Sequence, residues 1–216
     1  MKKSLFICGL IVFKLAGAAQ AAIVINNDWA VNTAIPDGSP VGMTAYQTFQ
    51  NLDANAIGSV NVDLNISGGY NGDLVGYLTL QDANGNTATE ILLNRVGTTP
   101  ANPFGSSGSG FNVTLSDSGT VNGSIHGAAG LPTGTWLPDS ANTLNSSFGG
   151  MTANGTWTLY LADMSLGGGT SILNSWGLDV SVVPEPAGVG FIFGIGGFVA
   201  VAFGALCRQH HKKCRE

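Results

Sequence analysis

Cysteine is almost missing from this chain. The three cysteines are Cys8, Cys207 and Cys214, so none falls between residues 22 and 183. Disulfide bonds therefore cannot stabilise that segment, which has to bury a hydrophobic core of its own. Its length suffices for one such core and is too short for two.

Basic residues are equally scarce. Arg95 is the one base between residues 22 and 183, against eleven acidic residues, for a net charge of −10. A surface of this charge repels nucleic acid and anionic membranes, so no nucleic-acid partner is expected, and it attracts cations. Solubility in a sequence with little lysine is the alternative reason for the charge.

Long hydrophobic runs occur only at the two ends. Lys2 and Lys3 precede the apolar stretch Leu5–Phe13, and small residues follow it up to Ala19-Gln20-Ala21. This order is typical of a secretory signal peptide. We therefore predict a signal peptide over residues 1–21, cleaved after Ala21.

The second run covers residues 187–206 and contains no charged side chain. As a helix it extends about 30 Å, the hydrocarbon thickness of a bilayer, which predicts a transmembrane helix. Arg208, Lys212, Lys213 and Arg215 follow it. The positive-inside rule then places the tail, residues 207–216, in the cytoplasm and residues 22–186 outside.

The segment between the two ends alternates apolar and polar residues with a period of two. The clearest run is Val60–Ile66, and residues 157–161 and 176–182 repeat the pattern. Such alternation predicts strands with one buried face, and hence an all-β fold, an antiparallel β-sandwich over residues 22–183. It places Trp157 and Trp176 in the core.

Turn residues divide the predicted strands. Residues 74–82 and 87–96 flank Asn84-Gly85, which predicts a hairpin with a type I′ turn. Residues 98–110 and 119–138 are poor in strand-forming residues, and we predict two long surface loops there.

The C-terminal segment resembles a known sorting signal. Val183-Pro184-Glu185-Pro186 is followed by the apolar span and the basic tail. This three-part arrangement resembles the PEP-CTERM signal of Gram-negative bacteria over residues 184–216. The resemblance implies processing at the Pro184, Glu185, Pro186 motif by an exosortase-like enzyme. It also implies an intermediate anchored in the inner membrane, then release to the cell surface or to an extracellular matrix containing polysaccharide.

A second resemblance covers most of the exported segment, roughly residues 34–183. The motifs that carry it are Ala34-Ile35-Pro36-Asp37, Tyr70-Asn71-Gly72-Asp73-Leu74, Trp136-Leu137-Pro138-Asp139, Phe148-Gly149-Gly150, Gly155-Thr156-Trp157-Thr158-Leu159, Leu161-Ala162-Asp163 and Ser175-Trp176-Gly177-Leu178. In this order they resemble the P domain (homo B domain) of subtilisin-like proprotein convertases. The resemblance implies a jelly-roll β-sandwich that packs beside a catalytic domain and supports its folding. Gly68-Gly69 stands where that family has a histidine.

Catalytic residues are not expected in this segment. His126 is its one histidine, no G-x-S-x-G motif occurs, and a zinc site lacks ligands. The chain is also too short to carry a subtilisin-type catalytic domain besides this one.

Calcium is the one metal that the composition favours, because it takes carboxylate and carbonyl oxygens from loops. Asp73 and Asp163, on turns that match the P-domain motifs, are the candidate ligands. The alternative is that both carboxylates accept backbone N–H bonds and hold their turns. Asp82-Ala83-Asn84-Gly85-Asn86 lacks the later EF-hand ligands, and we interpret it as a hairpin turn.

Trp136 lies in a proline-flanked loop. It is either an exposed aromatic ring that contacts a sugar ligand or a residue that plugs the loop onto the core.

Together these patterns predict an exported, non-catalytic surface or matrix protein that binds an extracellular polysaccharide or a partner protein. Two alternatives stay open. One is an accessory domain that supports a separate subtilisin-type serine endopeptidase, and the other is a hydrolase with an unrecognised site.

Overall fold

The computed structural model describes residues 21–183, in which nearly all regular structure is β. The strands are β1 (Ala22–Ala34), β2 (Ser39–Phe49), β3 (Ile57–Ser67), β4 (Leu74–Asp82), β5 (Thr87–Asn94), β6 (Gly110–Ser116), β7 (Thr133–Trp136), β8 (Gly155–Asp163) and β9 (Ile172–Val182). A short helix, α1, spans Leu144–Phe148, and three 3₁₀ turns span Asn71–Asp73, Gly119–Val121 and Ile125–Gly127.

The strands form two sheets. The five-stranded sheet has the order β1-β9-β3-β6-β7, and the four-stranded sheet has the order β2-β8-β4-β5. Every neighbouring pair is antiparallel except β6 and β7, which run parallel. The predicted antiparallel sandwich is therefore confirmed at the level of its two sheets.

The core lies between the sheets, and period-two alternation explains how it forms. On β3, Val60, Val62 and Leu64 are almost completely buried, while Asn61 and Asp63 between them are partly exposed. β8 and β9 supply the matching apolar residues from the other side and from the adjacent strand. Each strand thus contributes one face to the core and one to solvent.

The two tryptophans predicted in the core lie there. Trp157 and Trp176 are 0% and 1% exposed. The ring of Trp157 lies 5.3 Å from that of Phe148, which anchors α1 to the core. Trp176 lies 5.2 Å from Trp29 and so ties β9 to the edge strand β1.

The hairpin between β4 and β5 forms where predicted, but its turn is of a different type. A type I′ turn needs positive φ at both central residues, whereas only Gly85, with φ of 87°, is left-handed here. The N–H of Gly85 donates to the Asp82 carbonyl at 3.0 Å. The carboxylate of Asp82 accepts the N–H groups of Asn84 and Asn86, which stabilises this longer turn.

One of the two predicted loops contains regular structure. Residues 119–138 include two 3₁₀ turns and the strand β7, which pairs with β6 from Asn112↔Thr133 to Leu115↔Trp136. The strand was missed because it has four residues, one of them glycine. Residues 98–109 form a loop, as predicted.

Both ends of the chain fall outside residues 21–183. The signal peptide over residues 1–21, the Pro184, Glu185, Pro186 motif, the apolar span 187–206 and the tail 207–216 therefore stay predictions. Within residues 21–183, no helix is long and apolar enough to cross a membrane.

The core predicts a clear contrast between neighbouring residues of β8. Leu159 is 1% exposed, and Leu159→Ala should lower the free energy of unfolding by about 2–5 kcal/mol through lost burial and the cavity left behind. Thr158 points to solvent, and Thr158→Ala should cost less than about 1 kcal/mol. Urea denaturation measures both, and equal losses would contradict the assigned faces.

Candidate functional site

Three aspartates lie in one region, where the connections leave one end of the four-stranded sheet, and they influence one another electrostatically. Asp73 ends the 3₁₀ turn before β4, and Asp163 ends β8. The register pairs Leu74 with Asp163, which places the two carboxylates on neighbouring chain segments. Asp37, in the turn between β1 and β2, lies close enough to raise the pKa of both.

Asp163 is the most deeply buried of the three, with no exposed surface. Its Oδ1 accepts the N–H of Ser165 at 3.2 Å. Its Oδ2 has no hydrogen-bond partner within the part of the chain that the structure describes. Burying a carboxylate oxygen without a hydrogen-bond partner destabilises the folded protein, because the oxygen loses its hydrogen bonds to water and forms none within the protein.

The electrostatic environment increases that cost. Burial raises the pKa of Asp163, and the negative charges of Asp73 and Asp37 raise it further, whereas hydrogen bonding to the backbone N–H groups of Ser165 and Gly38 lowers it. Burial is also the largest cause of the raised pKa of Asp73. The site therefore favours either a bound proton or a bound cation.

Arg95 neutralises the negative charge of these aspartates only in part. Its Nη2 lies 4.0 Å from Asp73 Oδ1, and about a third of its side chain is exposed. The guanidinium also donates to the carbonyls of Gly72 and Pro103, each at 3.2 Å. It is thus shared between the carboxylate and two loops, which limits the charge that it neutralises.

The loop after β8 closes over these carboxylates. The N–H of Gly167 points to Asp37 Oδ2 at 3.4 Å, and a hydroxyl bond from Ser165 lowers the pKa of Asp73. Gly168 has φ of 80°, and a Cβ there would meet the Tyr70 ring at 2.7 Å and Asp73 Oδ2 at 3.2 Å. Glycine therefore lets the loop approach the acidic side chains closely.

The donor set fits a cation that takes oxygen ligands. Across residues 21–183, no three His, Cys, Asp or Glu side chains are grouped so as to hold a metal by themselves. A calcium ion here would take carboxylate oxygens from Asp73 and Asp163 and complete its six to eight ligands with carbonyl, hydroxyl or water oxygens. The orphaned Oδ2 of Asp163 is the observation that favours such an ion.

His126 is held in a structural arrangement. Its Nδ1 lies 2.8 Å from Asp139 Oδ2, and its Nε2 lies 2.9 Å from the Thr98 carbonyl. Two acceptors facing the two ring nitrogens favour the imidazolium form, and the hydrogen bond to Asp139 is the main cause of its raised pKa. The ring therefore joins three loops, and both nitrogens are occupied.

Trp136 lies on β7, in the other sheet. Its ring is partly buried and packs against the core, and its Nε1 donates to the Thr133 carbonyl at 2.9 Å. This geometry favours the loop-plug interpretation, and a sugar contact at Trp136 stays a prediction.

Of the predicted site residues, the structure brings Asp73 and Asp163 together and places Trp136 elsewhere. Asp82 stabilises its hairpin turn, in agreement with the interpretation from the sequence. Burial raises the pKa of Asp82, but hydrogen bonds from Asn86 and Asn84 have the larger effect, so the pKa is lowered. Asp37 was missed as a site residue. Its signal was the turn sequence Pro36-Asp37-Gly38, which cannot show that this turn lies beside β8.

Comparison with known proteins gives structural neighbours only. No family model and no curated protein matches the chain. Two similar solved structures are the serine protease of Aeromonas sobria and the complex of that protease with the chaperone. Their identities are 15%, their TM-scores 0.44 and 0.45, and they cover 78% and 77% of this chain. The aligned part is 28% of each of those chains.

The arrangement around His126 predicts a pH-dependent contribution to stability. Because its pKa in the folded protein is above the ordinary value of 6.5, the contribution is complete below pH 6.5 and is lost as the pH rises through the folded pKa. His126→Gln should therefore destabilise the protein clearly at pH 5.5 and much less at pH 9.

Urea denaturation at the two pH values measures this difference, and NMR titration of the His126 ring gives the pKa directly. Asp139→Asn serves as the matched variant and should return the pKa towards 6.5. A loss of stability that is the same at both pH values would contradict the assignment.

Proposed function

We propose that this chain is an exported, non-catalytic binding protein of the bacterial cell surface or extracellular matrix, whose β-sandwich is stabilised by calcium at Asp73 and Asp163. The observation that carries the calcium part is the buried Oδ2 of Asp163, which has no partner among residues 21–183. A divalent cation would neutralise the paired carboxylates and hold together the connections on which they lie.

The non-catalytic part of the proposal is supported by the contacts of His126. The most catalysis-like residue, His126, has both ring nitrogens engaged by Asp139 and the Thr98 carbonyl. A general base needs a free nitrogen within hydrogen-bond reach of the proton that it abstracts. The hydrolase alternative therefore loses its best candidate residue.

The strand order supports the finer fold assignment. With β7 set aside, β1-β9-β3-β6 faces β2-β8-β4-β5, and successive strands alternate between the sheets up to β4. This is the order of a jelly roll with two Greek keys. It agrees with the P-domain resemblance of residues 34–183.

Export and sorting rest on the sequence of the two ends. The signal peptide would be removed after Ala21, and the Pro184, Glu185, Pro186 motif would be processed by an exosortase-like enzyme. The span 187–206 would then anchor an inner-membrane intermediate in a Gram-negative bacterium, before release to the surface or the polysaccharide matrix.

The second candidate function is an accessory domain for a separate subtilisin-type serine endopeptidase. It is favoured by the ordered P-domain motifs, among them Gly155-Thr156-Trp157-Thr158-Leu159 on β8. In that case the partner would be a protein, and the sandwich would support the folding of that protein.

Calcium should raise the melting temperature of the full-length protein relative to the chelated sample, because a ligand that binds only the folded state stabilises it. At 100 times the dissociation constant the gain is about 2.7 kcal/mol. The double variant Asp73→Asn, Asp163→Asn should lose the shift, while Asp53→Asn, at an exposed turn, should keep it. An unchanged melting temperature with and without calcium would rule out the ion.

Isolation from the native host distinguishes the two candidate functions and tests the sorting. We expect an intact mass that starts at Ala22 and ends at the Pro184, Glu185, Pro186 motif, in the surface or matrix fraction. A species that retains Glu216 would contradict processing. Stoichiometric recovery of a subtilisin-type subunit would favour the accessory function over the leading one.

A further inference from the structure

The solvent face of the four-stranded sheet has an unusual composition. Twelve side chains of β2, β8, β4 and β5 point outwards there, as the registers and exposures indicate. They are Thr44, Tyr46, Thr48, Thr156, Thr158, Tyr160, Tyr77, Thr79, Gln81, Thr87, Thr89 and Ile91. We call this surface the threonine face.

None of these twelve residues is charged, although the exported segment has a net charge of −10. The outer face of the other sheet is different: Asp28 and Asp63 flank Gly177 from the two adjacent strands, and Asp179 follows on β9. Burial and the charges of Asp28 and Asp179 raise the pKa of Asp63, although its bond from Thr114 lowers it. The carboxylates therefore lie close together on one sheet and are excluded from the outer face of the other.

The hydroxyls of the threonine face form rows across the strands. One row is Thr48, Thr156, Gln81 and Thr87, and the next is Tyr46, Thr158, Thr79 and Thr89. Sheet geometry spaces members of a row by about 4.8 Å and successive rows by about 7 Å. Cross-strand bonds between Thr48 and Thr156, at 3.0 Å, and between Thr79 and Thr89, at 2.9 Å, orient several of these hydroxyls in advance.

Aromatic rings occupy one end of the threonine face. Tyr77 and Tyr160 lie side by side with ring centroids 5.8 Å apart and an angle of 31° between the rings. The hydroxyl of Tyr160 donates to the Pro40 carbonyl, which fixes its ring. Tyr46, in the adjacent row, is 68% exposed. Tyrosine combines an apolar ring face with a polar tip, as a surface for stacking sugar rings requires.

We propose that the threonine face binds a neutral polysaccharide. The rows of hydroxyls supply donors and acceptors that match sugar hydroxyls, and the tyrosines supply ring faces for stacking. Charge selects the ligand: an anionic polymer is repelled by the net negative charge of residues 22–183, and a cationic one would favour the aspartates of the other sheet. This inference rests on the proposed binding function and names its surface and its ligand class.

The rigid backbone beneath the threonine face also supports the proposal. The face is built on four paired strands whose inward residues, among them Leu78, Leu80 and Leu159, are almost completely buried. Its side chains are thus presented by a fixed backbone, which lowers the entropy lost on binding.

Sedimentation of the full-length protein with insoluble cellulose, a neutral polysaccharide, tests the inference. Carboxymethyl cellulose immobilised on beads is the matched anionic probe and should bind at least tenfold less protein. Thr158→Lys, at the centre of the threonine face, should lower binding to cellulose at least tenfold, and Tyr46→Ala should lower it severalfold. Asn112→Lys adds the same charge at an exposed position of β6 on the other sheet and should leave binding unchanged.

Near-UV circular dichroism confirms that each variant is folded. Cellulose binding that Thr158→Lys and Tyr46→Ala leave intact would overturn the assignment of the surface but not the binding function. The assignment of the surface would also be overturned, and the binding function kept, if the protein does not bind cellulose but its Thr158→Lys variant still captures the native matrix polysaccharide. Inhibition of ice recrystallisation or self-association, lost in Thr158→Lys without any glycan binding, would assign the face to ice or to a second copy instead. Absence of binding to cellulose and to the native matrix alike would overturn both proposals.

Discussion

The apposition of two sheets, held without a single disulfide, is the constraint on which the rest of this structure depends. Cysteine is absent from residues 22–183, so apolar burial between β3 and β9 on one side and β8 and β4 on the other has to stabilise the domain. With period-two alternation, every second residue of a strand faces the core and meets this requirement. The residues between them face solvent and can differ between the two sheets, and on the two sheets they differ in charge.

The same reliance on burial also encloses polar side chains at the ends of some strands. The core extends to the last residues of β8, where Asp163 is as inaccessible as the leucines around it. Its carboxylate is not paired as a structural ion pair would be, since Arg95 lies nearer to Asp73 and is divided among several acceptors. A buried carboxylate of this kind lowers the stability of the fold, and a bound cation would offset that loss.

Sequence patterns predicted the parts of the fold that have strong local signals. Strands with clean alternation, such as β3 and the end of β9, were identified, and so was the hairpin around Gly85. β1 was not predicted, because register shifts between Ile23 and Ile25 and between Ala30 and Thr33 interrupt its alternation. β2 and β6 were not predicted either. Asp37 and the threonine face were missed for another reason: alternation shows which residues point outwards but not which strands are adjacent. Thr48 and Thr156 are hydrogen-bonded across 108 positions of sequence.

The distribution of charge also argues against solubility as its main cause. A solubilising charge works from any exposed position, so acidic residues at outward strand positions would be expected on both sheets, whereas Asp28, Asp63 and Asp179 all lie on the five-stranded sheet. Instead the threonine face is free of them, and the one acidic residue in the interior of β5, Glu90, points inwards, where it accepts the Ser147 hydroxyl. Threonine and tyrosine also suit strands by propensity, but propensity acts on both sheets alike. The other sheet carries asparagine, serine and aspartate at the equivalent outward positions of β3 and β9. Propensity and solubility together therefore do not account for a neutral face on one sheet alone, whereas the neutral ligand proposed for the threonine face would account for it.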